Sequence, residues 1–274
     1  MLIDRYNVWM HLIGFTRKLY TYRLIIVSMA VQDIQRRYAG TVAGFIWSII
    51  NPLVTILVYW FVFSIGLRVQ PIGDVPFILF FAAALLPWMT FSETILINTN
   101  VIAANSHLIK KMVFPSEILP FVTLVANLIT HLVMLTIFMG IMLAYGIPLS
   151  FMNLQCLYYM FAMCAFSIGL SWLLSAINVF HKDTSVVLGV VMNIWFWLTP
   201  IVYGIDVLPR QFHVILKLNP VFYIAQGYRE SFVYGVPLWN HMYQGAYFWL
   251  VTLILLVVGG YVFKKLKPEF AEML

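Results

Sequence analysis

The 274-residue sequence is 63% hydrophobic and only 9% charged, whereas an average soluble protein carries about 25% charged residues. So few charges cannot cover a surface in water, and the long continuous apolar runs are typical of membrane-spanning helices rather than of the alternating strands of a membrane barrel. We therefore predict an all-α integral membrane protein. The net charge of +6 is explained by cations beside the apolar runs, and with no basic face interleaved with aromatics, nucleic acid is excluded as a partner.

Residues 1–40 are predicted to form an amphipathic interfacial helix that does not cross the membrane. Its apolar residues recur at intervals of three and four, which places them on one helical face. This stripe consists of Tyr20, Leu24, Val27, Val31, Ile34 and Tyr38. The charges along the segment are unlike the compact apolar core of a cleavable signal peptide. We expect the helix to lie in the headgroup plane and lead into the first span; packing against a partner domain is the alternative.

Six apolar runs follow, each long enough to cross about 30 Å of hydrocarbon as a helix. The predicted spans cover about residues 41–67, 76–98, 118–145, 154–180, 185–203 and 243–263. Pro52 lies inside the first span, where we expect a kink whose freed carbonyl is satisfied by a neighbouring group.

Residues 103–120 interrupt the apolar pattern with two lysines, a glutamate and two prolines. Asn105 or Ser106 can cap a short helix, and Pro115 ends it before a new helix starts near Ser116. A cytoplasmic helix with mixed apolar and basic faces is suited to docking a peripheral ATPase. The residues that we assign to this docking surface are Ser106, His107, Lys110, Lys111 and Glu117.

Residues 204–241 carry several charges and prolines but remain strongly apolar and aromatic. A loop in water would not need so many aromatic side chains. We predict two short re-entrant helices that dip into the outer leaflet before the last span, hinged at Asn219 and Pro220, because such helices are allowed where protein shields their backbone.

The distribution of cations predicts the orientation in the membrane. If the termini lie in the cytoplasm, the inner segments hold 12 cations and the outer segments hold 4, with Arg229 counted among the outer ones. Because cytoplasmic loops carry the excess of Lys and Arg, both termini are predicted to be cytoplasmic.

No motif in the sequence would give the chain an energy source of its own. It contains neither G-x-x-x-x-G-K-[ST], which would hold a nucleotide, nor H-E-x-x-H, and we predict no metal site and no catalytic residue. Cys156 and Cys164 lie in one apolar run and are interpreted as small buried residues. Energy must therefore come from a partner, unless the protein is a passive channel.

Two polar residues inside the predicted spans need partners. Glu93 is the only carboxylate there; pairing with a cation or a backbone group near the cytoplasmic end is one interpretation, and a gating role is the other. His131 lies deep in a span, and we expect it to be buried and hydrogen-bonded to a neighbouring helix rather than to bind a ligand.

Five stretches, in this order along the whole chain, resemble the ABC-2 type membrane permeases of bacterial polysaccharide exporters, which serve O-antigen, capsule and teichoic acid. They are RRYAGTVAGFIWSIINPL (36–53), LIKKMVFPSEILP (108–120), NVFHKDT (178–184), WFWLTPIVY (195–203) and LNPVFYIAQGYRESFVYG (218–235). One departure is Ala39, where such permeases often carry a lysine.

The resemblance implies a homodimer bound to two copies of a nucleotide-binding ATPase subunit, with ATP and magnesium on that subunit and no cofactor on this chain. It implies that the region of residues 103–117 is the coupling helix or lies beside it. It further implies that a lipid-linked, O-antigen-like glycan moves from the cytoplasmic to the periplasmic side of the bacterial inner membrane. Permeases for teichoic acid, capsule, a drug, heme or a lipid remain alternatives. A secondary transporter or channel is disfavoured because the spans lack paired charges.

For such a cargo, an aromatic-lined conduit is suitable because sugars stack on aromatic faces. The candidate residues are Tyr59, Trp60, Phe63, Trp88, Phe91, Trp195, Trp197 and Tyr203. A membrane-interface belt or simple packing is the alternative role of each. Arg36 and Arg37 are the candidates for the lipid diphosphate, with positive-inside anchoring as their alternative role.

Overall fold

The computed structural model of the chain describes residues 3–68, 75–111 and 114–274. Helices form almost all of the regular structure in these ranges. The α-helices are α1 (Ile3–Arg37), α2 (Trp47–Trp60), α3 (Phe77–Ala104), α4 (Ser106–Lys111), α5 (Leu119–Ala144), α6 (Gln155–Phe180), α7 (Asp183–Leu198), α8 (Arg210–Lys217), α9 (Pro220–Arg229), α10 (Met242–Leu266) and α11 (Phe270–Met273). Wider π-helical turns, Phe61–Gly66 and Glu230–Tyr234, extend α2 and α9.

Five helical stretches in the described ranges are long and apolar enough to cross a membrane. They are Gly44–Gly66, Phe77–Ala104, Ser116–Ala144, Phe151–Phe180 and Leu238–Met273. They coincide with the predicted first, second, third, fourth and last spans. The chain is thus a multi-pass, helical membrane protein.

The fifth predicted span, 185–203, is shorter than expected. Helix α7 has 16 residues and ends at Leu198, which gives a length of about 24 Å, less than the hydrocarbon thickness. It ends there because Thr199 is extended, as expected before Pro200, and proline offers no N–H to continue a helix. The structure therefore supports five spans by length, and the sixth stays a prediction.

Helix α3 is the centre of the bundle. Twenty of its 28 residues are buried, and it packs against α5, α6, α7 and α9. It also continues six residues beyond the predicted end at Asn98, because polar side chains in this part are satisfied by neighbouring helices: the Asn98 Nδ2 donates to the Ser171 Oγ at 2.9 Å and to the Pro120 carbonyl at 3.2 Å.

Helices α2 and α7 lie at the periphery. In α2 the chain itself buries only Ser48 and Ile56, and in α7 only Leu188 and Met192. Their other side chains are half-buried or exposed. These faces are therefore available to lipid or to another protein.

Helix α1 packs on α5 through a face that differs from the predicted stripe. Ile26, Ala30 and Ile34 are buried against α5, whereas Tyr20 and Leu24, like Val27 and Val31, are exposed. Four of the six residues of the predicted stripe thus face away from the bundle, whereas Ile34 is buried and Tyr38 is half-buried. Lipid and a partner domain both remain possible occupants of that face.

Helices α6 and α10 approach closely at two glycines. A Cβ atom added to Gly259 would lie 2.3 Å from the Gly169 carbonyl oxygen, and one added to Gly169 would lie 2.9 Å from the Leu256 nitrogen. Small residues at such contacts allow membrane helices to pack backbone to backbone.

We predict that Gly259→Ala destabilises the protein by about 1–3 kcal/mol, because the added methyl group forces the two backbones apart. The measurement is the thermal unfolding midpoint of the purified protein, which should fall by several degrees.

The neighbouring Gly260→Ala is the matched control. Its Cβ would meet only the Trp172 ring at 3.8 Å, an ordinary contact, so its midpoint should stay at the wild-type value. Equal midpoints for the two variants would contradict the close-approach explanation.

Candidate functional site

A network of charges ties the end of α1 to the first bundle helices. The Arg37 guanidinium donates through Nε and Nη2 to the Asp33 carboxylate at 3.1 and 2.7 Å, and through Nη1 to the Glu93 Oε1 at 2.8 Å and the Asn127 Oδ1 at 2.7 Å. The prediction that Glu93 pairs with a cation is thereby confirmed. A gating role of Glu93 is not tested by this contact.

This network borders a cavity of about 180 Å³. The cavity lies between α1, α2, α3 and α5, and Arg37, Tyr38, Ser48, Asn51 and Glu93 contribute its polar lining. When both carboxylates are ionised, the two negative charges of Asp33 and Glu93 exceed the single positive charge of Arg37 by one. Because every donor nitrogen of Arg37 already has a partner, a phosphate would have to displace a carboxylate from it.

The neighbouring Arg36 has an exposed side chain. Of the two arginines predicted to contact a lipid diphosphate, it is therefore the one that can receive an anion without breaking a contact of Arg37. The two residues diverge because successive helical side chains point about 100° apart, so that only one faces the bundle.

The docking segment forms a short helix, as predicted. In α4 the His107 and Lys110 side chains are exposed and Ser106 is half-buried; the side chain of Lys111 lies outside the described part. Glu117 differs from these, because its carboxylate accepts hydrogen bonds from Lys18 and Lys267. Its carboxylate thus faces other parts of this chain.

Part of the predicted aromatic set forms a continuous wall between α3 and α7. The Phe91 and Trp195 rings are 5.4 Å apart, Trp88 and Phe91 are 6.0 Å apart, and Trp88 and Trp195 are 6.4 Å apart. Trp88 and Phe91 are buried in this chain, so packing accounts for both. Trp195 is half-buried and donates from Nε1 to the Asn219 Oδ1 at 2.8 Å.

The other predicted aromatics lie closer to the surface. Tyr59 stacks on Phe63 of the same helical stretch with ring centroids 6.2 Å apart. Tyr59, Phe63 and Trp60 are half-buried, and Trp197 is 55% exposed. Tyr203 is half-buried and donates its hydroxyl to the Trp197 carbonyl at 2.7 Å. The structure thus brings the predicted aromatic residues of α2, α3 and α7 into one region. Within this region Trp88 and Phe91 are buried, whereas Trp197 is exposed.

Two short helices precede the last span and meet at Asn219 and Pro220, as predicted. Asn219 caps α9 by accepting from the Val221 N–H at 3.0 Å, and its Nδ2 donates to the Thr199 Oγ1 at 2.8 Å. The hinge between α8 and α9 is therefore tied to the end of α7.

The topology prediction treated Arg229 as a cation of an outer segment, and its position corrects this. It is 1% exposed, and its guanidinium donates to the carbonyls of Phe80 at 3.2 Å, Pro200 at 2.7 Å and Ile201 at 2.6 Å. The guanidinium carbon also lies 3.6 Å from the centre of the Phe80 ring. Removing it from the count of outer cations leaves the predicted orientation unchanged.

Burial shifts the pKa values of Arg229 and of its neighbour Glu230. It lowers the pKa of Arg229 to about 9, which leaves the guanidinium charged at neutral pH. Beside it, burial raises the pKa of Glu230 and the nearby His241 opposes that rise; the His241 Nε2 and the Glu230 Oε1 are 3.0 Å apart. In the sequence, the adjacent charged residues Arg229 and Glu230 inside an aromatic segment were the signal that could have identified this site.

His131 is buried and hydrogen-bonded, as predicted. Its ring nitrogens lie 2.8 Å from the Thr90 Oγ1 and 2.8 Å from the Tyr228 hydroxyl, so it joins α5 to α3 and α9. Cys156 and Cys164 are free thiols. Within the described ranges, no group of three His, Cys, Asp or Glu side chains could hold a metal ion.

Comparison with known proteins identifies the family. The model of the ABC-2 type transporter family matches residues 25–233, which include the Arg37 network, helix α4, the aromatic wall and the short helices α8 and α9. The chain belongs to the ABC-2 type transporter family. Members of this family are transmembrane subunits without nucleotide-binding sites that pair with ATPase subunits. The resemblance to such permeases is therefore confirmed.

Individual relatives agree over nearly the whole chain. This ABC-2 type protein is 30% identical over 257 residues to an O-antigen export system permease protein RfbA of Klebsiella pneumoniae, covering 93% of this chain and 96% of the relative. It is 28% identical over 264 residues to the O-antigen export system permease protein RfbA of Myxococcus xanthus, covering 95% of this chain and 99% of the relative.

We predict that Arg229→Met lowers the stability of the permease by about 3 kcal/mol or more, because three buried carbonyls lose their donor. Arg229→Lys should recover only part of the loss, since an ammonium cannot reproduce the planar fork of a guanidinium. Thermal unfolding of the purified protein measures both.

The control is Arg210→Met on the exposed surface of α8, which should leave the unfolding midpoint unchanged. A midpoint for Arg229→Met as high as that of Arg210→Met would show that the carbonyl contacts do not hold this region together.

Proposed function

We propose that the chain is the membrane subunit of an ATP-driven exporter that moves a lipid-linked, O-antigen-like polysaccharide from the cytoplasmic to the periplasmic side of a bacterial inner membrane. The observation that carries the proposal is the family match together with relatives, named O-antigen export permeases, that align over more than nine-tenths of the chain. The half-buried and exposed aromatic side chains of α2 and α7 suit a sugar cargo.

The working unit in this proposal is a homodimer with two ATPase subunits and with both termini in the cytoplasm. The peripheral position of α2 and α7 supports it, since the chain covers little of either helix. When two copies pair through these faces, the half-buried Tyr59, Trp60 and Phe63 of one side and the exposed Trp197 of the other lie at the shared surface. The glycan passes between the copies along these rings.

The lipid diphosphate is received at the end of α1. Arg36 is exposed there and supplies the positive charge, while Arg37 holds α1 against Glu93 and Asn127 beside the polar cavity. This assigns different roles to the two arginines: Arg36 binds the anion and Arg37 fixes the backbone that presents it.

Energy reaches the membrane through α4. Its exposed His107 and Lys110 face the ATPase, with Ser106 and Lys111 on the same short helix. When ATP closes the two ATPase subunits, the docking helices move and the two copies of the permease change their relative position as rigid bodies. The exposed aromatic surfaces of α2 and α7 then separate enough to admit the glycan.

Deletion of the permease gene tests this function directly. We expect the glycan to disappear from the cell surface while the lipid-linked glycan accumulates on the cytoplasmic side, because synthesis continues without export. Surface labelling and extraction of total lipid-linked glycan measure the two pools. Export should return only when the chain is expressed together with an ATPase subunit able to hydrolyse ATP.

A different cargo is distinguished by the same experiment. If deletion leaves the surface glycan unchanged and another exported lipid or small molecule is lost, that molecule is the cargo and the polysaccharide is not. Export that persists with an inactive ATPase subunit would favour a secondary transporter.

For the conduit, we predict that Trp197→Ala reduces glycan export several-fold at unchanged membrane abundance, because a stacking surface is lost. The readout is the initial rate of glycan appearance at the cell surface.

Trp239→Ala is the matched control, since Trp239 is 60% exposed and Trp197 55% exposed. Trp239 precedes α10 and lies outside the proposed conduit, so its removal should leave export intact. The conduit would be rejected by equal export rates in the two variants.

A further inference from the structure

The carboxylate of Glu117 joins three distant parts of the chain. It accepts from the Lys18 Nζ of α1 through Oε1, and from the Lys267 Nζ just beyond α10 through Oε2 at 2.6 Å. The Trp172 Nε1 of α6 donates to the backbone carbonyl of the same residue at 3.1 Å. A single residue before α5 is therefore held from both ends of the sequence.

An apolar cluster lies next to this ionic contact. Phe270 of α11 is fully buried, with ring centroids 5.3 Å from Phe263 and 6.4 Å from Phe180. Ile109 of α4 and Phe114 pack against the same cluster. The C-terminal helix α11 thus contacts the docking helix directly.

Helix α4 depends on such contacts for its position. It has six residues, and an isolated helix of that length is not stable in water because nucleation is unfavourable. Its orientation must therefore be set by the groups that pack on it and by the residues that anchor the chain after it. Glu117 anchors the chain that follows α4, and Phe270 belongs to the apolar cluster on which α4 packs.

We propose that Lys18, Glu117 and Lys267 form a clamp that, with Phe270, positions α4 for the ATPase subunit. The clamp makes the N-terminal helix and the C-terminal segment parts of the coupling unit. This proposal rests on the proposed function of α4 as the ATPase docking element. Glu117 and Lys267 are positioning residues, since they act on the ATPase through α4.

The experiment uses the full transporter with its ATPase subunit in lipid nanodiscs, and compares charge reversals. Lys267→Glu should lower glycan export per ATP hydrolysed by about fivefold or more, in the range of ordinary coupling energies. It should also speed hydrogen exchange of the backbone amides in residues 106–111. The triple variant Lys18→Glu, Glu117→Lys, Lys267→Glu restores opposite charges at every contact and should recover both measurements.

Lys264→Glu is the matched control, because Lys264 is an exposed lysine near the same end of α10; it should change neither measurement. Two results would overturn the clamp: a triple variant that folds but recovers neither export nor exchange protection, or faster exchange in Lys267→Glu with unchanged export per ATP.

A further variant separates this proposal from the docking function on which it rests. Lys110→Glu alters the exposed face of α4 without touching the clamp, so it should lower coupling while exchange in residues 106–111 stays slow. Unchanged coupling in Lys110→Glu would overturn the docking surface, whereas the exchange measurements on Lys267→Glu and the triple variant would still decide whether the clamp holds α4.

Discussion

The buried guanidinium of Arg229 is the contact on which the region between α7 and α10 depends. Inside a membrane protein, irregular backbone is tolerated only where its polar groups are satisfied. The chain after α7 is irregular because Pro200 stops the helix, and two of its carbonyls, those of Pro200 and Ile201, accept from Arg229. The third bond, to Phe80, ties both to α3. These bonds fix the short helix α9 beside the end of α7. Trp195 of the aromatic wall is held in the same region by its hydrogen bond to Asn219.

The central position of α3 has a consequence for movement. A helix with most of its residues buried among four neighbours moves with its bundle, because displacing it would break well-packed contacts on several sides at once. Helices α2 and α7 have few buried residues and contact the bundle through a limited set of apolar and aromatic side chains. The best-packed frame of the chain therefore consists of α3, α5, α6 and α10, and α2 and α7 lie at its edge.

The predictable features were those determined by local sequence. Long apolar runs identified five spans, Pro220 located the junction between α8 and α9, and the interrupted segment located the short helix α4. Local sequence could not identify partners distant in the chain: Arg37 and Glu93 are 56 residues apart, and Lys267 and Glu117 are 150 apart. It also did not reveal that α1 packs on α5, because that face is marked by Ala30, a small residue that permits close helix packing, whereas larger apolar residues form the opposite face.

Helix α1 connects the two ionic networks of the protein. Lys18 joins it to Glu117 near the docking helix, and Arg37 joins it to Glu93 beside the first span. The 19 residues between these contacts correspond to about 28 Å of continuous helix. Beyond Arg37 the chain turns through Gly40 and Gly44, whose φ angles of +79° and +52° are readily adopted only by glycine. A continuous helix therefore connects the surroundings of Glu117 to a glycine joint at the start of α2. One end of α1 is thus held by a carboxylate between two lysines and the other by an arginine between two carboxylates, while Ala30 and its buried neighbours pack the helix against α5.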